Sequence, residues 1–143
     1  MKYSLLKLNY PYNALEPYID AKTMEIHHTK HHQTYVDKLN TVLEKHHKLQ
    51  EKNLEDLMRT CDTLDIPEAD KKMLKNHCGG HLNHTLFWNI MGPQKRIDDS
   101  LVKKIEKTFG TISEFKKTFT ETALGHFGSG WAWLIVKEGK IVI

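Results

Sequence analysis

The stretch Thr23–Asn40, "TMEIHHTKHHQTYVDKLN", places four histidines within six positions and decides how the first half of the chain folds. On an α-helix, side chains four residues apart lie on the same face. Two columns result, one of His27, His31 and Tyr35 and one of His28, His32 and Val36. One column is expected to face solvent. Spacing alone does not decide which, because Leu39 and Leu43 also give the second column apolar neighbours.

The residues around this stretch predict a long helix. Asp20 is a favourable N-cap, and residues at steps of three or four continue the apolar pattern to about residue 50. The first 19 residues carry Pro11 and Pro17 among aromatic residues, which indicates an extended lead-in that packs against the rest of the chain.

A second group of histidines lies in "NHCGGHLNHTLFW", within a second predicted long helix that Gly92 and Pro93 terminate. A short helix, "LEDLMRTCDTL", separates the two long ones. Gly79 and Gly80 each cost about 1 kcal/mol inside a helix, and such glycines are usually kept where a bulky group comes close. Antiparallel helices with histidines at mid-length are how helical bundles build metal sites, and imidazole suits transition metals.

The last third of the chain changes character. Two shorter helices are predicted, one ending at Gly110 and the next opening with Thr111 and Glu114 in capping-box spacing. "GSG" then interrupts the pattern, and "WAWLIVKEGKIVI" predicts a β-hairpin. Two strands alone are marginal in water, so this domain is expected to be incomplete.

Composition restricts the class of protein. The 143 residues are 39% hydrophobic and 27% charged, an ordinary globular composition. No apolar run predicts a membrane span or a signal peptide, and the net charge of +3 is too small to indicate nucleic-acid binding. Cys61 and Cys78 are too far apart for a CxxC site, so a reducing cytoplasm is the expected location.

The histidines and aromatic residues of these segments can also be explained by packing or solvation alone. An individual histidine on a helix is more often surface or core filler than a ligand, and His46 and His47 lie in a lysine-rich, solvated stretch. Trp88, Trp131 and Tyr35 are by default core or amphipathic aromatic residues. The residues taken singly therefore leave a metal site and a plain helical module both open.

Three motifs together resemble the iron/manganese superoxide dismutase family: "LNYPYNALEPYIDAKTMEIHHTKHHQTYV", "GGHLNHTLFW" and "FGSGWAWLIV". The resemblance implies that His27 and His84, rather than His81, are metal ligands. It implies that His31 and Tyr35 are gate residues at the mouth of the substrate funnel. It further implies that Trp88 and Trp131 form aromatic walls of the pocket. Asn9 departs from the pattern, because the family commonly has proline there.

The resemblance also implies parts that this chain does not contain. The family completes its metal sphere with an aspartate and a third histidine from an Asp-x-Trp-Glu-His motif, which is absent here. Iron-type members usually place a glutamine four residues before the second ligand, where this chain has Gly80, so the cofactor is expected to be manganese, with iron as the alternative. The chain is expected to represent about the first two-thirds of a family member.

The expected fold class is mainly α, with a long helical hairpin in residues 1–92 and the start of an α/β domain in residues 93–143. The expected function is dismutation of superoxide, impaired or absent in this length of chain. Family members form homodimers, with an interface that would be partly missing here. Two alternatives remain, a metal-binding remnant without redox activity and a helical interaction module.

Overall fold

The computed structural model describes residues 3–93 and 96–143. Internal contacts divide the chain into two units, residues 1–94 and residues 95–143. The mainly α architecture, with a helical hairpin first and a β-hairpin last, is confirmed. None of the helices in the described ranges combines the length and the apolarity needed to cross a membrane.

The first long helix is built from three segments, α1 (Ala21–Ile26), a π-helical segment (His27–His32) and α2 (Gln33–Lys45). Asp20 caps it as predicted, because its carboxylate accepts a hydrogen bond from the Thr23 backbone N–H at 2.8 Å. The helix ends at Lys45, five residues earlier than the periodicity predicts, and a 3₁₀ turn (His47–Glu51) follows.

The π segment changes which side chains face inward. Residues spaced by four drift by about 40° per step around a regular α-helix. A π turn contains more than four residues, so a step of four falls short of a full turn there and offsets the drift of the flanking α-helical turns. Four side chains at four-residue spacing are consequently all buried: Met24, His28, His32 and Val36.

The second half of the hairpin consists of α3 (Leu54–Thr60), a 3₁₀ turn (Cys61–Thr63) and α4 (Glu68–Ile90). The helices α2 and α3 both pack against α4. The core between them is apolar and includes Leu39, Val42, Leu57, Leu74 and Cys78. It lies next to the histidine-rich part of the hairpin and fixes the two long helices side by side.

The lead-in is held by side chains of the hairpin. The Asn40 amide accepts from the Tyr3 backbone N–H and donates to the Tyr3 carbonyl, each at 2.8 Å. The Tyr10 hydroxyl donates to the Trp88 carbonyl at 3.0 Å. The lead-in therefore packs on both long helices.

The second unit contains α5 (Asp99–Phe109), α6 (Ile112–Gly125), β1 (Ile135–Lys137) and β2 (Lys140–Val142). Gly110 ends α5 with φ of 91°, a conformation that favours glycine. The strands pair antiparallel, with Ile135 opposite Val142, and β2 contacts α5. The hairpin begins four residues later than predicted, since Trp131–Leu134 precede β1 outside the ladder.

Candidate metal centre

Three imidazoles converge between the two long helices. His27 and His31 come from the π segment and His84 from α4, and each offers a ring nitrogen within 4.8 Å of the other two. The ring centroids are 5.2 Å apart for His27 and His31, 5.1 Å for His27 and His84, and 5.0 Å for His31 and His84. His84 is buried, His27 is half-buried and His31 is exposed, so the cluster reaches the surface at His31.

The His84 ring is oriented by its own helix. One ring nitrogen, Nδ1, lies 2.7 Å from the Gly80 carbonyl oxygen, which only accepts, so Nδ1 carries the proton. The lone pair is then on Nε2, which lies 3.1 Å from His27 Nε2. A backbone carbonyl holding the other ring nitrogen is how metal-binding histidines are usually oriented.

The pair of nitrogens fits a transition metal. Two atoms 3.1 Å apart can both bind one ion at the metal–imidazole distance of about 2.0–2.1 Å. The donors that the described residues bring together are imidazoles, which suit Zn, Cu, Fe and Ni, whereas manganese favours oxygen donors and has the lowest affinity in the divalent series. These imidazoles therefore accommodate a metal but hold Mn(II) weakly by themselves.

Burial keeps these ligands neutral. Desolvation, followed by the neighbouring His84 and His31, lowers the pKa of His27 to about 4. Burial also lowers the pKa of His84. A neutral imidazole has the free lone pair that a metal needs, so neither ring must lose a proton near neutral pH.

Tyr35 forms the next layer of the site. Its ring lies 5.2 Å from the His31 ring at 83° and 5.2 Å from the His84 ring at 34°. A Cβ atom at position 80 would lie 2.2 Å from the Tyr35 Cδ1 atom, so Gly80 provides the space that the tyrosine ring occupies. At Gly79 the nearest atom would be Met58 Cε, at an ordinary 3.5 Å, so only one glycine of the pair is required by a close approach.

The histidines of the second column are buried, whereas the first column reaches the surface at His31, so the expectation that one whole column faces solvent is wrong. His32 is 0% exposed and His28 is 5% exposed. The His28 ring donates from Nε2 to the Leu6 carbonyl at 2.8 Å and lies 3.1 Å from the Tyr12 hydroxyl through Nδ1. The π segment turns this column toward α4 and the lead-in, where each imidazole finds a partner.

Trp88 lies inside the hairpin, 3% exposed, with its ring 5.0 Å from the His27 ring and at 77° to it. Its indole N–H donates to His32 Nδ1 at 3.0 Å, and His32 Nε2 lies 2.7 Å from His81 Nδ1. His32 and His81 are thus part of the structure behind the ligands, although neither was a predicted site residue. The sequence signal that could have identified His32 as a buried residue was the set of apolar neighbours of its column, such as Leu39 and Leu43.

Trp131 belongs to the second unit, where its ring stacks on Trp133 with centroids 5.6 Å apart. Its role as an aromatic wall of the pocket stays a prediction.

Comparisons with known proteins match both halves of the chain to one family of metalloenzymes. The α-hairpin domain of iron/manganese superoxide dismutases matches residues 2–92, and the C-terminal domain of the same enzymes matches residues 97–143. "Superoxide dismutase [Mn]" from Listeria monocytogenes is 49% identical over all of this chain and 71% of its own length. The Listeria innocua protein of the same name is 48% identical over the same shares. The helical hairpin, the convergent histidines and these matches together establish that the chain belongs to the iron/manganese superoxide dismutase family.

Proposed function

We propose that this chain serves superoxide dismutation, in which two superoxide anions and two protons give one oxygen molecule and one hydrogen peroxide molecule. His27 and His84 would bind the metal. Manganese, or iron as the alternative, would supply the one-electron exchange when bound. The observation that carries the proposal is the 3.1 Å approach of two Nε2 atoms inside a hairpin of this family.

His31 and Tyr35 would act at the entrance. His31 is the exposed member of the cluster, so a small anion arriving from solvent meets it first. The Tyr35 hydroxyl is a donor and an acceptor, and the His31 ring is its neighbour one helical turn away. These two groups can hold water and pass protons toward the site. Such a supply is needed because each hydrogen peroxide molecule takes up two protons.

Trp88 would form one aromatic wall of the site, and the family resemblance supports Trp131 as a second. The large apolar ring of Trp88 lies beside His27 and excludes bulk water from the ligands. We further propose that residues 1–92 and 93–143 are separate domains, and that the enzyme acts in the cytoplasm as a homodimer. The unpaired thiols of Cys61 and Cys78 support a reducing compartment.

The ligand assignment can be tested by titrating the 143-residue chain with Mn(II) and measuring the concentration of unbound Mn(II) by electron paramagnetic resonance. His84→Ala and His27→Ala should each abolish the weak binding expected of the parent chain. His47→Ala is the matched control, because His47 is an exposed histidine outside the cluster. Equal Mn(II) binding in His84→Ala and the parent chain would refute the assignment.

A second experiment concerns activity. The chain contains no Asp-x-Trp-Glu-His motif, so we expect little superoxide decay from it alone. Adding a fragment that carries this motif should supply a carboxylate and a further imidazole, and raise metal content, thermal stability and superoxide decay together. Full activity without the fragment would contradict this expectation and would require other donors from this chain.

A further inference from the structure

A row of buried rings lies directly behind the proposed ligand His84. His32 is 0% exposed, His81 is 2% exposed and Trp88 is 3% exposed. Polar groups buried this deeply are costly unless they are hydrogen-bonded, so their connections are informative.

The protons in this row can be assigned from its donors. The indole N–H of Trp88 can only donate, so His32 Nδ1, at 3.0 Å, must be the acceptor. The proton of His32 is then on Nε2 and is donated to His81 Nδ1 at 2.7 Å. One direction of donation therefore runs from Trp88 through His32 to His81, and it fixes the tautomer of both histidines.

The same His32 ring lies against the ligand. Its centroid is 5.2 Å from that of His84 and the two planes differ by 21°, so the imidazoles stack. The Gly80 carbonyl holds one edge of the His84 ring, and His32 covers one face. Rotation of His84 away from His27 would break both contacts.

We propose that His32 and His81 are positioning residues, which hold the face of the His84 ring so that its Nε2 atom points at the His27 Nε2 atom. His81 fixes the orientation of His32, and His32 limits the rotation of His84. The inference rests on the proposed role of His84 as a metal ligand and extends the site to two residues that touch neither metal nor substrate. Outer partners of ligating histidines typically contribute 10- to 100-fold in metal affinity.

The test uses the full chain and Co(II) as the probe, because its visible absorption reports the coordination of the ion. His32→Leu removes both hydrogen bonds and the stacked ring, and should raise the Kd for Co(II) roughly 10- to 100-fold. His32→Gln can accept from Trp88 and donate to His81 but offers no ring face, so it should recover part of the affinity. Val42→Ala is the control, since it weakens the apolar core, which contains no histidine.

A second readout needs no metal. Nitrogen NMR of the metal-free chain should show His84 protonated on Nδ1. In His32→Leu the ring can rotate away from the Gly80 carbonyl, so the proton should exchange between the two ring nitrogens and their chemical shifts should move closer together. His81→Phe, which removes the acceptor but keeps a ring, is the alternative variant if His32→Leu does not fold. A folded variant with the parental Co(II) affinity and an unchanged His84 tautomer would overturn the inference. If the parent chain binds no Co(II), the proposed metal site is refuted. The NMR of the metal-free chain then still tests whether His32 and His81 hold the His84 ring in place.

Discussion

The ring of Tyr35 lies where a side chain at position 80 would have to be. A Cβ atom there would be 2.2 Å from Cδ1 and 2.4 Å from Cε1 of the tyrosine. The residue that orients His84 through its carbonyl oxygen is thus the same residue that makes room for Tyr35. The space for the proposed proton-transfer group depends on this residue being glycine, and its backbone carbonyl orients the proposed ligand.

Gly80→Ala should therefore destabilise the chain and move Tyr35. Crowding of this kind costs about 1–3 kcal/mol, more than the gain of about 1 kcal/mol in helix propensity. Urea unfolding followed by circular dichroism measures the difference.

Gly79→Ala is the matched control in the next position of the same helix. Its new methyl group would meet Met58 at an ordinary distance, so the propensity gain should make this variant as stable as the parent or more stable. The explanation fails if both alanine variants change stability by the same amount and in the same direction.

Local features of the chain were readable from the sequence. Asp20 and Gly110 mark helix ends because capping depends on side chains and φ angles within a few residues. The burial of His28 and His32 was not readable. It depends on the π segment and on acceptors far along the chain, such as Leu6 and His81. A single α-helical period could not place both columns against α4.

Trp88 offers a test that separates packing from hydrogen bonding. Trp88→Phe keeps most of the apolar volume but removes the donor to His32 Nδ1, and should cost about 1–3 kcal/mol. Trp88→Ala also opens a cavity and should cost about 3–5 kcal/mol. Thermal unfolding of the two variants and the parent checks this order. Equal stability of Trp88→Phe and the parent would mean that the indole donor is dispensable.

The lead-in should depend on Asn40. Asn40→Leu leaves the backbone N–H and carbonyl of Tyr3 without their partner, at a cost of about 1–3 kcal/mol. Hydrogen exchange of the amide of Tyr3 should become faster than in the parent. Asn76→Leu, at an exposed position of α4, is the control and should leave that amide protected. Unchanged protection in Asn40→Leu would show that other contacts hold the lead-in.

The pH dependence of stability should reveal the contact between α2 and α4 at Asp70. His46 Nε2 lies 2.9 Å from one Asp70 oxygen and Lys45 Nζ lies 3.2 Å from the other. Hydrogen bonds from His46 and then Lys45 lower the pKa of Asp70 below its usual 3.8.

A carboxyl group whose pKa is lower in the folded state contributes stability above its unfolded pKa and loses that contribution as the pH falls through its folded pKa. Asp70→Asn should therefore have a lower Tm than the parent at pH 7, and the gap should close as the pH drops below about 4. Asp37→Asn is the control, because Asp37 is an exposed aspartate of α2 whose partner is Gln33 rather than a cation. Calorimetry from pH 7 to pH 3 measures both, and a Tm difference for Asp70→Asn that persists unchanged at pH 3 would show that the charge of Asp70 contributes nothing.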